Sequence, residues 1–375
     1  MMVNFLDQIQ KPTLVLNEAR ARRNLQRMAA KAAAQQVRFR PHFKTHQSAE
    51  IGEWFRTEGV SAITVSSLRM AAYFAEHGWQ DILVAFPVNL REMDAIRALA
   101  ARVRLGLLVE SIDSVEQLSG ALETQVDIWL KIDSGMHRAG LDVCDSAGVL
   151  ALAQAVQQHP NLCLRGLLTH AGQTYHAHST EEICEMYACS VEAMVSLRIT
   201  LEEQLHAELE LSVGDTPGCT LSENLGPVDE IRPGNFIFFD AMMHDLGVCA
   251  WQDVAVALAC PLVALHPVRS EAVIYGGSIH LSKELIQADG RDFYGYAAFP
   301  TEDGWRMANP HSRVISLSQE HGIVRLAPED FERLRLGDLL YIIPVHSCLV
   351  VDALKNYRSL GGAKITTLNS CPSED

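Results

Sequence analysis

The chain has no CxxC pair, no basic leader, no bilayer-length apolar run and no surplus of positive charge. Each absence removes a class of protein. Nine Cys are scattered through 375 residues without a pairing pattern, so neither a disulfide framework nor a zinc knuckle is expected. The start, Met1-Met2-Val3-Asn4-Phe5-Leu6-Asp7, lacks the basic and apolar regions of a signal peptide. The longest nearly apolar stretch, Val254 to Leu265, is too short to span a bilayer and contains Pro261. With 31 Lys and Arg against 46 Asp and Glu the net charge is −15, which argues against nucleic acid or an anionic membrane as partner. The expectation is a soluble, cytoplasmic protein.

What is present is apolar content of 48% over a length greater than one ordinary domain. Strand-prone runs fall at Val37–Arg40, Ala62–Val65, Ile82–Phe86, Val103–Val109, Val126–Ile132, Leu164–Thr169, Leu209–Val213 and Asn235–Phe239. Amphipathic stretches lie between most of them, as at Leu68–Glu76 and Glu181–His206. Eight strands with intervening helices predict a (β/α)8 TIM-type barrel over 17–245. After Trp251 the texture becomes β-prone and is broken by Gly, Pro and polar turns, with only Pro328–Leu334 reading as helical. This predicts a mainly β C-terminal domain, 1–16 plus 246–375, with Val3–Leu16 returning to join it. The polar tail from Leu368 to Asp375 is expected to fray.

The unusual residues collect at predicted strand ends, the catalytic rim of such a barrel. Lys44 ends the first strand within Arg40-Pro41-His42-Phe43-Lys44-Thr45-His46. A partly desolvated Lys near other cations can lose its proton and form a Schiff base. Gly214, Thr216, Gly234 and Asn235 fall in loops around strands seven and eight, where barrel enzymes bind phosphate through backbone N–H groups and a hydroxyl. A Lys on strand one with a phosphate cup on strands seven and eight describes pyridoxal 5'-phosphate (PLP) across the barrel mouth.

Those segments, with Asp133-Ser134-Gly135-Met136-His137-Arg138, Ala171-Gly172-Gln173-Thr174-Tyr175, Ser212-Val213-Gly214-Asp215-Thr216-Pro217, Arg232-Pro233-Gly234-Asn235, Ser318-Gln319-Glu320-His321-Gly322 and Pro344-Val345-His346-Ser347-Cys348, carry a resemblance. The chain resembles the D-serine dehydratase/D-threonine aldolase group within the alanine racemase-like, fold-type III PLP enzymes. The resemblance implies a barrel followed by a β domain, assembled as a head-to-tail homodimer. It gives Lys44 the Schiff-base position, Arg138 contact with the cofactor's phenolic oxygen, Tyr175 a cofactor contact, and Thr216, Gly234 and Asn235 the phosphate.

On an extended segment His346 and Cys348 would point the same way and reach one ion. Imidazole with thiolate favours zinc. Alone, such a pair reads more readily as a buried Cys beside a core His; the resemblance is what implies Zn2+ here. His42, His46, His170, His176, His178, His280 with Lys283, and Cys219 are weaker candidates. The expected function is a PLP- and zinc-dependent lyase acting on a small D-amino acid with a β-hydroxyl, best matched by D-serine. Retro-aldol cleavage of D-threonine, racemisation and a non-catalytic PLP-binding protein remain the alternatives.

Overall fold

A computed structural model describes residues 5–288 and 290–370; the end of the polar tail, 371–375, lies outside them. Its sequence-distant contacts separate two compact units, one of 26–44 with 52–236, the other of 1–25, 45–51 and 237–375. The chain passes from the first to the second between Lys44 and Thr45.

The first unit is a parallel TIM-type barrel with strands β1 (Arg38–Phe39), β2 (Ala62–Val65), β3 (Asp81–Pro87), β4 (Arg104–Val109), β5 (Val126–Asp133), β6 (Leu162–Leu168), β7 (Glu210–Val213) and β8 (Glu230–Ile231). Spatial order is β1-β8-β7-β6-β5-β4-β3-β2, and a parallel bridge from His42 to Thr64 closes the ring. Strands buried on both faces need near-continuous apolar sequence, and Leu105, Leu107, Ile128, Leu130 and Leu167 supply it at 1% exposure or less. Gly166 allows β6 and β7 to approach closely, since a Cβ there would lie 1.9 Å from the Glu210 carbonyl oxygen.

Strand eight differs from expectation. The apolar run Asn235–Phe239 is not a strand; Asn235–Ile237 is a 3-10 turn, and Glu230–Ile231 takes the barrel position. The true strand carries a buried Glu, so apolar texture pointed to the wrong segment. The consequence is that Arg232-Pro233-Gly234-Asn235 follows strand eight and stands at its carboxyl end.

Glu230 belongs to a belt of alternating charges around the amino-terminal half of the barrel. Arg38 pairs with Glu210 and, at 2.8 Å, with Glu230. Arg40 pairs with Glu230 at 2.8 Å and with Asp81 at 2.6 Å. Arg104 spans Asp81 at 3.5 Å and Asp127 at 2.6 Å, and Arg165 meets Asp127 at 2.9 Å. Arg165 also feels the charge of Glu210, which returns the belt to its start. Burial alone would neutralise Arg40, but Glu230 and Asp81 hold it charged and push its pKa up.

The second unit is built on a ten-stranded sheet. The N-terminal strand Thr13–Leu16 joins it, antiparallel to Val256–Ala259 and parallel to Arg358–Ser359. Helical content exceeds expectation: besides Pro328–Phe331, Ala241–Asp245, Ser278–Leu281 and Ser347–Leu354 are helices. The last runs Ser-Cys-Leu-Val-Val-Asp-Ala-Leu, whose apolar run reads as strand when judged by composition alone. No helix among the described residues is long and apolar enough to cross a membrane.

Candidate active site

Phe43 sets the position of Lys44. Its ring is fully buried between Phe55, Phe74 and Trp79, at centroid distances of 4.9, 4.9 and 5.1 Å. The flanking His42 and Lys44 are only half-buried. The Lys44 backbone N–H donates to His42 Nδ1 at 3.3 Å, and the His42 N–H donates to the Pro233 carbonyl at 3.0 Å. The lysine turn is thereby tied to the loop after β8.

The end of β5 brings Arg138 to the same region on a loop that only glycine permits. Gly140 has φ +111°, and a Cβ there would lie 2.8 Å from the backbone of Ile132 and Asp133. Asp133 organises the turn by accepting the Gly135 and His137 N–H groups, each at 3.0 Å. On the next loops, the Tyr175 hydroxyl accepts the Thr216 N–H at 3.2 Å. Asp215 Oδ2 accepts the Thr174 hydroxyl at 3.0 Å and the Gly218 N–H at 2.5 Å, clasping these two loops together. Gly234 and Asn235 are buried just beyond β8.

The electrostatics are cationic. Desolvation, then Lys44, Arg232, His170 and Arg138, push the His42 pKa well below its ordinary value. His170 falls to about 3, from desolvation first and then Lys44. Both imidazoles are therefore neutral at physiological pH. Arg232 is pulled down to about 10 by burial, and Lys131 to about 8 by burial and then by Arg232 and Arg138. Asp215 does not offset this charge fully, since burial raises it to about 7.

Several of these groups were not singled out from sequence. Lys131 and Arg232 are charges inside or directly after apolar strands, a signal that was available. Asp215 caps the helix Thr216–Leu221 ahead of Pro217, also a readable signal. Of the weaker candidates, His176 and His178 are exposed. Burial pushes the Cys219 thiol up to about 12, which makes it inert as a nucleophile. His280 accepts the Gly277 N–H at 3.2 Å in the second unit, and Lys283 there is exposed.

PLP fits the donors present. The Thr216 hydroxyl and Arg232 Nε are buried with no hydrogen-bond partner among the described residues, and an unmet buried donor is costly unless a ligand meets it.

The second unit holds His346 and Cys348, and here the expected geometry is corrected. The pair is not on an extended segment; His346 is the N-cap of the helix Ser347–Leu354, and Cys348 lies in its first turn. The side chains still meet, hydrogen-bonded to one another. Burial opposes the His346 charge, but Cys348, then Asp240 and Glu284, raise its pKa to about 9. Among the described residues no group of three or more His, Cys, Asp or Glu could hold a metal ion. Imidazole plus thiol is nonetheless a donor set suited to zinc, with the remaining positions left to water or substrate.

Fold and site together define a class: the chain belongs to the alanine racemase N-terminal-domain family, matched over residues 16–242, and carries a putative serine dehydratase domain over 255–359. Within it the chain falls in the D-serine dehydratase/D-threonine aldolase group of PLP-dependent lyases. It is 31% identical to D-threo-3-hydroxyaspartate dehydratase of Delftia sp. (strain HT23), over 93% of each chain. The solved structure of that protein superposes with a TM-score of 0.88 at 28% identity, covering 98% of this chain and 99% of the other. A cysteine-to-alanine mutant of it is described as being in the metal-free form. Identity to D-serine dehydratase of Dictyostelium discoideum is 27%, over 94% of this chain and 93% of that one. For D-threonine aldolase of Arthrobacter sp it is 27%, over 91% and 86%.

Proposed function

We propose that the chain eliminates water from a small D-3-hydroxy amino acid and that the dehydrated product takes up water and loses ammonia, so that D-serine becomes pyruvate and ammonia. Lys44 would hold PLP, and His346 with Cys348 would hold zinc. The observation that carries this reading is the cationic rim around a half-buried Lys44, together with a buried Thr216 hydroxyl that has no partner among the described residues. PLP, when bound, supplies an electron sink for the substrate's α-carbon. Zinc, when bound, supplies Lewis-acid help to a leaving hydroxide.

The remaining roles belong to the chain. The Lys44 amine would hold the cofactor and would take the α-proton of the substrate. The His42 acceptor fixes the backbone of Lys44, while neutral His42 and His170 add no positive charge of their own. Arg138 would face the cofactor's phenolic oxygen, Tyr175 would contact the cofactor, and Thr216 with the backbone around Gly234 and Asn235 would take the phosphate. A non-catalytic PLP carrier would have no use for the His346 and Cys348 pair. Racemisation would need a second acid or base opposite Lys44. The same reading includes a cytoplasmic homodimer, an expectation resting on the family resemblance.

A second substrate, D-threo-3-hydroxyaspartate, is favoured by the 31% identity to the Delftia dehydratase and by cations that suit an extra carboxylate. A screen of D-amino acids for keto-acid and aldehyde release, with and without chelator, separates the readings. D-Serine should yield pyruvate and ammonia, and chelation should abolish this while leaving the cofactor's visible absorbance intact. Faster release from D-threo-3-hydroxyaspartate selects the second substrate, and aldehyde from D-threonine selects aldol cleavage. Turnover that survives chelation removes zinc from the mechanism.

Thr216→Val should weaken PLP retention by about 1–3 kcal/mol, the range for a lost hydrogen bond to a charged group. Equilibrium dialysis against free PLP measures it. Unchanged affinity would take Thr216 out of the phosphate cup.

A further inference from the structure

We infer that Thr45 is a positioning residue for the metal pair, its hydroxyl holding the Cys348 sulfur in place to ligate. The inference rests on the proposed metal role of His346 and Cys348. Thr45 is completely buried, and its Oγ1 lies 3.2 Å from Cys348 Sγ. With the hydrogen bond to His346, this contact brings a second polar group to the sulfur, from a distant segment of the chain.

The segment that carries Thr45 is fixed on the elements around Cys348. The Tyr357 hydroxyl donates to the His46 carbonyl at 2.7 Å. Gln47 Nε2 donates to Asp352 Oδ1, on the same helix as Cys348, at 3.3 Å. The Leu368 N–H donates to the Gln47 carbonyl at 2.9 Å. Gln47 itself has φ 53°, a left-handed conformation that this packing must hold against its intrinsic cost. The Thr45 hydroxyl is therefore presented from a backbone with little freedom to move.

A thiolate bound to a metal keeps lone pairs that can accept a hydrogen bond, and such outer contacts orient ligands and tune affinity. Thr45 can donate its O–H to the sulfur without displacing a metal. Valine has nearly the same volume but no donor; serine keeps the donor and loses the methyl group.

The test uses the full-length holoenzyme and measures zinc affinity by competition with a chromophoric chelator. A parallel measurement follows the thiolate-to-metal charge-transfer band of the cobalt-substituted protein. Thr45→Val should weaken zinc roughly 10- to 100-fold, the range for removing an outer-shell partner, and shift the cobalt band. Thr45→Ser should restore both. Wild-type affinity and an unmoved band in Thr45→Val would overturn the inference. Equal weakening in the serine and valine variants would also overturn it, because the role would then be packing. If Thr45→Val does not fold, Thr45→Ala carries the same comparison against Thr45→Ser. Cys348→Ala and His346→Ala in the same assay separate this inference from its basis. If they bind zinc like wild type, the metal pair itself is wrong and Thr45 falls with it; if they lose zinc while Thr45→Val does not, only the Thr45 role fails.

Discussion

Lys44→Ala should abolish turnover, and borohydride should no longer fix PLP to the chain. In the wild-type protein, borohydride should attach the cofactor to the peptide containing Lys44. The rate loss should be on the order of 10³-fold or more, since loss of an acid/base group alone costs 10²–10⁴. The competitor is Lys131. Its amine is pushed down to about 8, so on ease of deprotonation alone it is a credible nucleophile. Geometry argues the other way: Lys131 is 7% exposed and its Nζ donates to the Ile132 carbonyl at 2.7 Å. Lys44 is half-buried at the carboxyl end of the barrel, where a cofactor can enter. Peptide mapping that placed the label on Lys131 or Lys283 would refute the assignment.

Mild acid should destabilise the protein through the buried His46 and the half-buried His42 and His170. His46 falls to about 3 from burial, His170 to about 3 from burial and then Lys44, and His42 is also strongly depressed. Each has a folded pKa below the ordinary value of about 6.5. The unfolded chain therefore takes up protons that the folded chain refuses, and stability present above pH 6.5 is lost as pH falls toward 3. Asp215 acts oppositely. Its pKa is raised to about 7, so the folded state binds the extra proton between pH 7 and about 4 and offsets roughly one histidine. The imidazoles outnumber Asp215, so the balance is a loss of stability on acidification. Urea titrations at pH 7, 6 and 5 should show a steadily falling midpoint. A midpoint that stays level from pH 7 to 5 would mean these imidazoles are hydrated or protonated in the folded state.

The sequence made the barrel legible because parallel strands, buried on both faces, must be apolar, and seven of the eight runs had no competing explanation. The eighth misled because Glu230 is part of the charge belt, whereas Phe236, Ile237, Phe238 and Phe239 are buried without being strand. The rim loops announced themselves through Gly, Thr and Pro in sharp turns. Arg232 and Lys131 were visible as charges against apolar strands, yet a single sequence does not say which way a strand's side chain faces. Thr45 gave no local signal at all, because its partner Cys348 is 303 residues away. The His346 and Cys348 pair was legible as a pair, but its setting was not, since the apolar run after it suits a strand as well as a helix.

The charge belt has a bearing on time as well as on energy. Arg38 and Arg40 meet Glu230 across 192 and 190 residues of chain. Loop-closure entropy must be lost before contacts of such separation reward it, which slows folding. Glu230 meets both arginines only when β1 and β8 have come together, so the belt registers that the ring is complete.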